Sequence, residues 1–297
     1  MSGQLKEVRE RITSVKSTQQ ITKAMKMVSA AKLRKAQQAI TEMRPYADRL
    51  NKMLKNILSN LEGDAVSTFG VEREVNNVAI AVVTSNKGLC GAFNSNIVKA
   101  AIAKIEGEYA EQLEKGNITI IGFGKKGFES LEKRYPNLKF VDEHLGVFSD
   151  LSFDNISAGA LHLMNGFLDG TYDKVDVCYG QFKNAALQFP KAVEFLPVPR
   201  MEKPEGGPKT KADYIFEPTK EGLLESLIPS LLQTTFQKFV LDTHASEHGA
   251  RMTAMDSATE NAEELLKDLK ISYNKARQEA ITKELSEIVG GAAALNG

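Results

Sequence analysis

Both ends of this chain are long runs that read as helix and as nothing else. Between Leu5 and Leu61 the only proline is Pro45; from Ser230 onward there is none, and Gly249 is the only glycine before Gly290. At 1.5 Å of rise per residue, each run makes a helix roughly 80–95 Å long. Such a rod has no core of its own, so it must pair along its length or unravel. Leu5, Val8, Ile12 and Val15 alternate in steps of three and four, which is a coiled-coil seam. The seam turns polar at Gln19 and Thr22, apolar residues return at Ile21, Met25 and Val28, and Leu50, Leu54 and Leu58 follow later. In the last run Met255, Ala258, Ala262, Leu265, Leu269, Ser272 and Ala276 keep the alternation, with small side chains that allow close approach. An antiparallel coiled coil follows if the middle of the chain returns the second run beside the first. Pro45 is expected to kink the first helix, and Pro229 to sit in the first turns of the second.

Composition narrows the class. A formal net charge of zero argues against a general nucleic-acid binder, which needs a basic surface. Two cysteines, Cys90 and Cys178, make no disulfide framework. No stretch reaches the length of apolar residues that a membrane span needs, and the opening residues carry no apolar signal core. The expectation is a soluble cytosolic chain without direct membrane insertion.

Between the two runs the period changes. Residues 77–84 form a β-branched run suited to a buried strand, 94–115 a helix, and 117–122 a second strand. Residues 125–135 read as helix, 138–141 as strand, 154–168 as helix, and 174–182 and 192–198 as two further strands. Strands alternating with helices imply a mostly parallel sheet covered on both faces. The predicted fold is α/β: an antiparallel coiled coil of the long N- and C-terminal helices plus a central Rossmann-like domain with a mostly parallel five-stranded sheet. Its expected divisions are an N-terminal arm over 1–61, the central domain over 75–215 and a C-terminal arm over 218–297, with 199–211 a proline- and glycine-rich loop.

Three motifs suggest chemistry. Gly122, Gly124 and Gly127 follow a strand and open a helix in the spacing of a dinucleotide fingerprint. They belong to the second strand–helix unit, however, and a ligand-free glycine turn explains them equally well. His244, Glu247 and His248 match an inverted zinc-protease pattern, but on a helix expected to be solvent-exposed and without a third ligand. Cys90 lies in a glycine-rich turn that ends at Asn94, a candidate N-cap; with no histidine near it in sequence, it reads as a small residue packed under the turn. No cofactor and no metal is expected.

The C-terminal end carries more information. After Glu287 the chain runs Ile288, Val289, two glycines and Ala292 to Leu295, an uncharged stretch of small apolar residues. On an exposed helix this would be a liability unless a partner houses it in an apolar socket. Without directional contacts, such a tip can turn in its socket.

Together these segments resemble the gamma subunit of rotary, F-type ATP synthase, in its bacterial form. The likeness lies in the run from Ile21 to Ala36, in Thr84 to Asn96, in His248 to Met255, and in Ile281, Thr282, Glu284, Glu287, Gly291, Ala292 and Ala294. Asn86 and Lys87 stand where an Asp-Arg pair is common, Ala92 where glycine is, and Gln20 where lysine is usual. The resemblance implies a non-catalytic central rotor shaft, one copy per complex. It would couple rotation of the membrane ring to conformational cycling of an alpha/beta hexamer. Partners would be the alpha and beta subunits, the epsilon subunit and the c-ring. The location would be the cytoplasmic face of the bacterial inner membrane. It also implies coupling roles for Met25, Arg251, Gln278, Thr282 and Glu284, an apolar shaft tip at Ile288, Val289, Ala292 and Leu295, and a foot for the ring and epsilon at Tyr214 and Glu217. On this reading Arg251→Ala slows coupled turnover with little loss of fold. The alternatives are a dinucleotide-binding enzyme using the Gly122–Gly127 turn and a structural coiled-coil spacer.

Overall fold

The computed structural model describes residues 3–59, 68–198 and 220–295. Its helices are α1 (Gly3–Ser59), α2 (Phe93–Ala103), α3 (Ala110–Lys115), α4 (Lys125–Arg134), α5 (Phe153–Leu168) and α6 (Lys220–Leu295). Its strands are β1 (Val78–Val83), β2 (Ile118–Phe123), β3 (Lys139–Val141), β4 (Lys174–Phe182) and β5 (Gln188–Leu196). The chain divides into two compact units: unit 1 is Met1–Ala30 with Arg251–Gly297, and unit 2 is Ala31–Ala250. Both long helices are therefore shared between the units, so the expected arms do not coincide with the compact divisions.

Unit 1 is a pair of helices. Lys26 pairs with Asp256, Thr22 Oγ1 lies 2.8 Å from Thr259 Oγ1, and Arg9 Nη2 donates to the Tyr273 hydroxyl at 2.9 Å. As residue numbers fall along α1, those of their partners rise along α6, so the pair is antiparallel. On α1 the seam runs as its spacing predicts, with Leu5, Thr22 and Ser29 buried and Val8, Ile12, Val15 and Gln19 half-buried. On α6 the phase differs from the expected one. Met255, Ala262, Leu266, Leu269 and Ala276 are buried and Thr259 and Tyr273 half-buried, whereas Leu265 and Ser272 are exposed. The steps run four then three instead of three then four. Leu265 and Leu266 satisfy apolar spacing equally well, and the choice falls to the phase that also aligns Thr259 and Tyr273 with hydrogen-bonding partners on α1.

Unit 2 is a covered sheet with strand order β3-β2-β1-β4-β5, all parallel except β5, which runs antiparallel to β4. Every residue of β1 is buried. Its alternate side chains feed two cores: Ala79, Ala81 and Val83 face α5 and the first part of α6, while Val78, Ile80 and Val82 face α2 and Leu131 of α4. Strand β5 begins at Gln188, before the expected 192, although Pro190 interrupts the run. As an edge strand, β5 can carry a residue that donates no ladder hydrogen bond. An Asn184 side chain accepting from Ala186 and Leu187 N–H closes its hairpin to β4.

Three other expectations change. The predicted helix over 94–115 is broken by a π turn at Lys104–Glu108. Residues five apart point about 140° from each other on a regular α-helix. The wider turn lets both Lys104 and Tyr109 reach the buried Asp176, at 3.1 and 2.8 Å. Asn94 is not the N-cap of α2, which is Ala92; its side chain instead accepts from Ser85 N–H at 3.0 Å and donates to Ser85 Oγ at 2.8 Å. Pro229 lies inside α6, not in its first turns, and Pro45 lies inside α1 with helix on both sides.

One carboxyl in this core makes a pH prediction. Asp242 on α6 is 6% exposed, and burial raises its carboxyl from 3.8 to about 6, with Lys238 and Arg44 pulling the other way. The folded chain thus holds this proton more tightly than the unfolded chain does. The stability so gained is complete below about pH 4 and is lost as pH rises through about 6. Asp242→Asn should therefore stabilise the protein by about 1–3 kcal/mol near pH 8 and change little near pH 4. Urea unfolding at the two pH values checks this.

Candidate functional site

The glycine fingerprint is where an enzyme reading stands or falls. Nucleotide sites of doubly wound folds sit at the C-terminal ends of the strands, on free N–H groups of a helix start. At the start of α4 those groups are taken. Lys125 N–H donates to Asn86 Oδ1 at 3.1 Å, Lys126 N–H to Ser85 O at 3.1 Å, and Gly127 N–H to Thr84 Oγ1 at 2.9 Å. Gly124 has φ 105°, and a Cβ there would stand 1.8 Å from Thr84 O. The glycines admit the turn after β1, and that turn fills the space a pyrophosphate would need. Cys90 packs beneath the same turn, 2% exposed and 3.9 Å from Ser85 Oγ.

The strand order reverses between β1 and β4, the other place where such folds bind ligands. There β1 pairs with β4 only as far as Cys178. Beyond it, α6 takes over: Thr243 Oγ1 accepts from Gly180 N–H at 3.2 Å, and Ser246 Oγ donates to Gly180 O at 3.0 Å. This part of α6, expected to be an exposed arm, is core. Glu247 and His248 are 6% and 5% exposed, His244 Nε2 lies 3.1 Å from His248 Nε2, and the Phe148 ring stacks on His244. The inverted zinc-protease spacing here is a packed helix face.

The predicted coupling residues fall into three environments. Met25 is half-buried on α1. Arg251 is buried, 7% exposed. Gln278, Thr282 and Glu284 are exposed on α6, with Thr282 Oγ1 donating to Gln278 O at 2.9 Å, one turn back. A buried guanidinium is part of the fold as well as of any coupling role. Arg251→Ala should therefore lower stability by about 2–4 kcal/mol before any effect on turnover is counted, in place of the small loss expected from sequence. Thermal unfolding of the isolated chain measures it. Tyr214 and Glu217 lie outside the described residues, as does the loop over 199–211.

At the tip, Ile288 and Val289 are each 67% exposed and Ala292 is exposed. Leu295 ends α6. Helix α1 begins at Gly3, so in the antiparallel register α6 has outrun its described partner by about Ala280. From Ile281 to Ala292 every residue is exposed. Sequence reasoning assigned the apolar tip to the last of these residues; Ile281, which it used only for the family likeness, and Leu285 are apolar surface as well, exposed by 48% and 57%. With Ile288 they form a stripe in steps of four and three, beyond the end of the pairing seam and on another face of α6. Outward-facing Ile21, Met27 and Val28 on α1, between 57% and 61% exposed, add apolar surface that the seam does not use. Among the described residues no helix is long and apolar enough to cross a membrane.

A family model described as ATP synthase matches residues 4–295. The ATP synthase gamma chain of Cytophaga hutchinsonii is 52% identical over 293 residues, 98% of this chain and 99% of the relative. That of Christiangramia forsetii is 53% identical over 293 residues, 99% of each. Among solved structures, a chain of the Euglena gracilis mitochondrial ATP synthase, in its assembly of OSCP, F1 and c-ring, is similar with a TM-score of 0.67 and 25% identity. That similarity covers 99% of this chain and 95% of that one. With matches running from end to end and half the residues shared, this chain belongs to the gamma-chain family of ATP synthases.

Proposed function

We propose that the chain is the central shaft of a proton-translocating ATP synthase and carries no catalytic group itself. The observation that carries this reading is the end of α6, which has no partner among the described residues. An isolated helix of this length is marginal in water, yet this one exposes Ile281, Leu285, Ile288 and Val289 by 48–67%. A socket in an alpha/beta hexamer covers it, and the hydrolytic residues belong to the beta subunits. Unit 1 is a two-helix shaft whose faces differ, with apolar Ile21 and Val28 on one helix and acidic Glu260, Glu263, Glu264 and Asp268 on the other. As the shaft turns, each beta subunit meets a different face and favours the conformation that fits it best. The ring and epsilon subunit hold the other end, with one shaft per complex on the cytoplasmic face of the bacterial inner membrane. Gln278, Thr282 and Glu284, exposed polar residues on this end of α6, engage a passing loop of beta.

Reconstitution with alpha and beta subunits tests the reading. ATP turnover by the hexamer should rise on adding the chain, and a bead fixed to it should rotate. Turnover indifferent to the chain would instead favour a static spacer.

A further inference from the structure

Unit 2 holds a cluster of metal-ligating side chains that has no part in any surface described above. Glu143 and His144 lie in the turn that leaves β3, and His162 lies on α5. One ligand atom from each residue falls within 4.8 Å of the other two. Glu143 Oε2 is 3.7 Å from His162 Nδ1. Two donors on a tetrahedral zinc, with bonds of about 2.0–2.2 Å, stand about 3.3–3.5 Å apart. That pair is thus already near coordination spacing. The Glu143 side chain is 70% exposed and free to swing through the remaining distance.

The two imidazoles are held in place by the packing of unit 2. The His144 ring lies flat on Phe123, with centroids 5.2 Å apart and planes 4° from parallel. It meets the His162 ring edge-on, at 5.2 Å and 88°. Gly159, one turn before His162, lets α5 close on Phe123: a Cβ there would lie 2.4 Å from Phe123 Cε1. The same contact that seats α5 therefore brings His162 to His144. His144 Nε2 is buried and, among the described residues, has no hydrogen-bond partner. A buried polar nitrogen left in that state is costly. Aromatic packing explains where the rings sit, but it supplies no hydrogen bond to that nitrogen.

We propose that Glu143, His144 and His162 bind one divalent transition-metal ion of the zinc class, with water completing the coordination. Two imidazoles and a carboxylate suit zinc, nickel or copper rather than magnesium or calcium, which prefer all-oxygen sets. The ion ties the turn after β3 to α5, and its binding stabilises unit 2 in proportion to occupancy.

Zinc titrated calorimetrically into the metal-free, full-length chain tests this, together with Co2+ as a spectroscopic probe. The native chain should show one saturable site, a zinc-dependent rise in melting temperature and visible d–d bands with Co2+. Glu143→Gln, at an exposed position, should keep the metal-free melting temperature. It should weaken zinc at least by the roughly tenfold that losing a supporting partner of a metal site costs. His162→Gln should abolish the saturable site. The absence of saturable binding to the native chain would overturn the proposal. So would binding that both variants leave unchanged, because the ion would then sit elsewhere, the His244 and His248 pair being the remaining imidazoles.

Discussion

Gly124→Ala should destabilise unit 2 by about 4 kcal/mol or more, enough to leave little folded protein at ordinary temperatures. Two penalties coincide at this residue. Its φ of 105° is one that L side chains rarely adopt, and an added Cβ would stand 1.8 Å from the Thr84 carbonyl oxygen and 2.8 Å from its carbon. The obstacle is backbone, so no rotamer change relieves it. Moving Thr84 would disturb the hydrogen bond from its N–H to Phe123 O, at 2.9 Å, and the one its hydroxyl accepts from Gly127 N–H. The damage would therefore spread from the turn into the join between β1 and β2. Gly107→Ala is the matched control: nothing lies within 4 Å of its added Cβ, and its φ is not positive. It should be neutral or stabilise by about 0.5–1 kcal/mol. Soluble yield and urea unfolding of the two variants compare them directly. Equal tolerance of both would mean that the turn after β1 does not press on α4 as described.

Leu266→Asp and Leu265→Asp should behave oppositely, although the residues are neighbours of one type. Leu266 is buried in the seam of unit 1 at 9% exposure, whereas Leu265 is 41% exposed. A carboxylate at 266 loses the apolar contacts and sits unpaired against α1, at a cost of about 3–5 kcal/mol. At 265 it stands in water, and the cost is only about 0.5–1 kcal/mol, from the lower helix propensity of aspartate and repulsion by Asp268 one turn on. Helical circular dichroism during thermal unfolding of the isolated chain reads both. Damage from Leu265→Asp with Leu266→Asp tolerated would return the seam to the phase that apolar spacing alone suggests.

This pair of leucines shows where sequence reading ends. Along α1, Leu5, Val8, Ile12 and Val15 admit one phase, because the residues between them are polar, and that phase is the one observed. Along α6 the seam is written largely in alanine, serine, threonine and paired leucines, so two phases satisfy the same spacing. Hydrogen bonds across to Thr22 and Arg9 choose between them. The same limit applies to His244, Glu247 and His248. Their spacing is helical in any setting, and nothing local says that they are packed inside unit 2.

The long helical ends, their antiparallel pairing, the β-branched strands and the family itself were legible in the amino-acid sequence alone. All of them depend on local periodicity or on residues that recur in order. Tertiary structure alone decided that the first part of α6 is core, that Arg251 is buried, and that the Gly122–Gly127 turn is filled by Thr84, Ser85 and Asn86. Each of these outcomes turns on which distant segment occupies a space. Sequence spacing sets the direction in which a side chain points along its own element, and packing sets what it meets there.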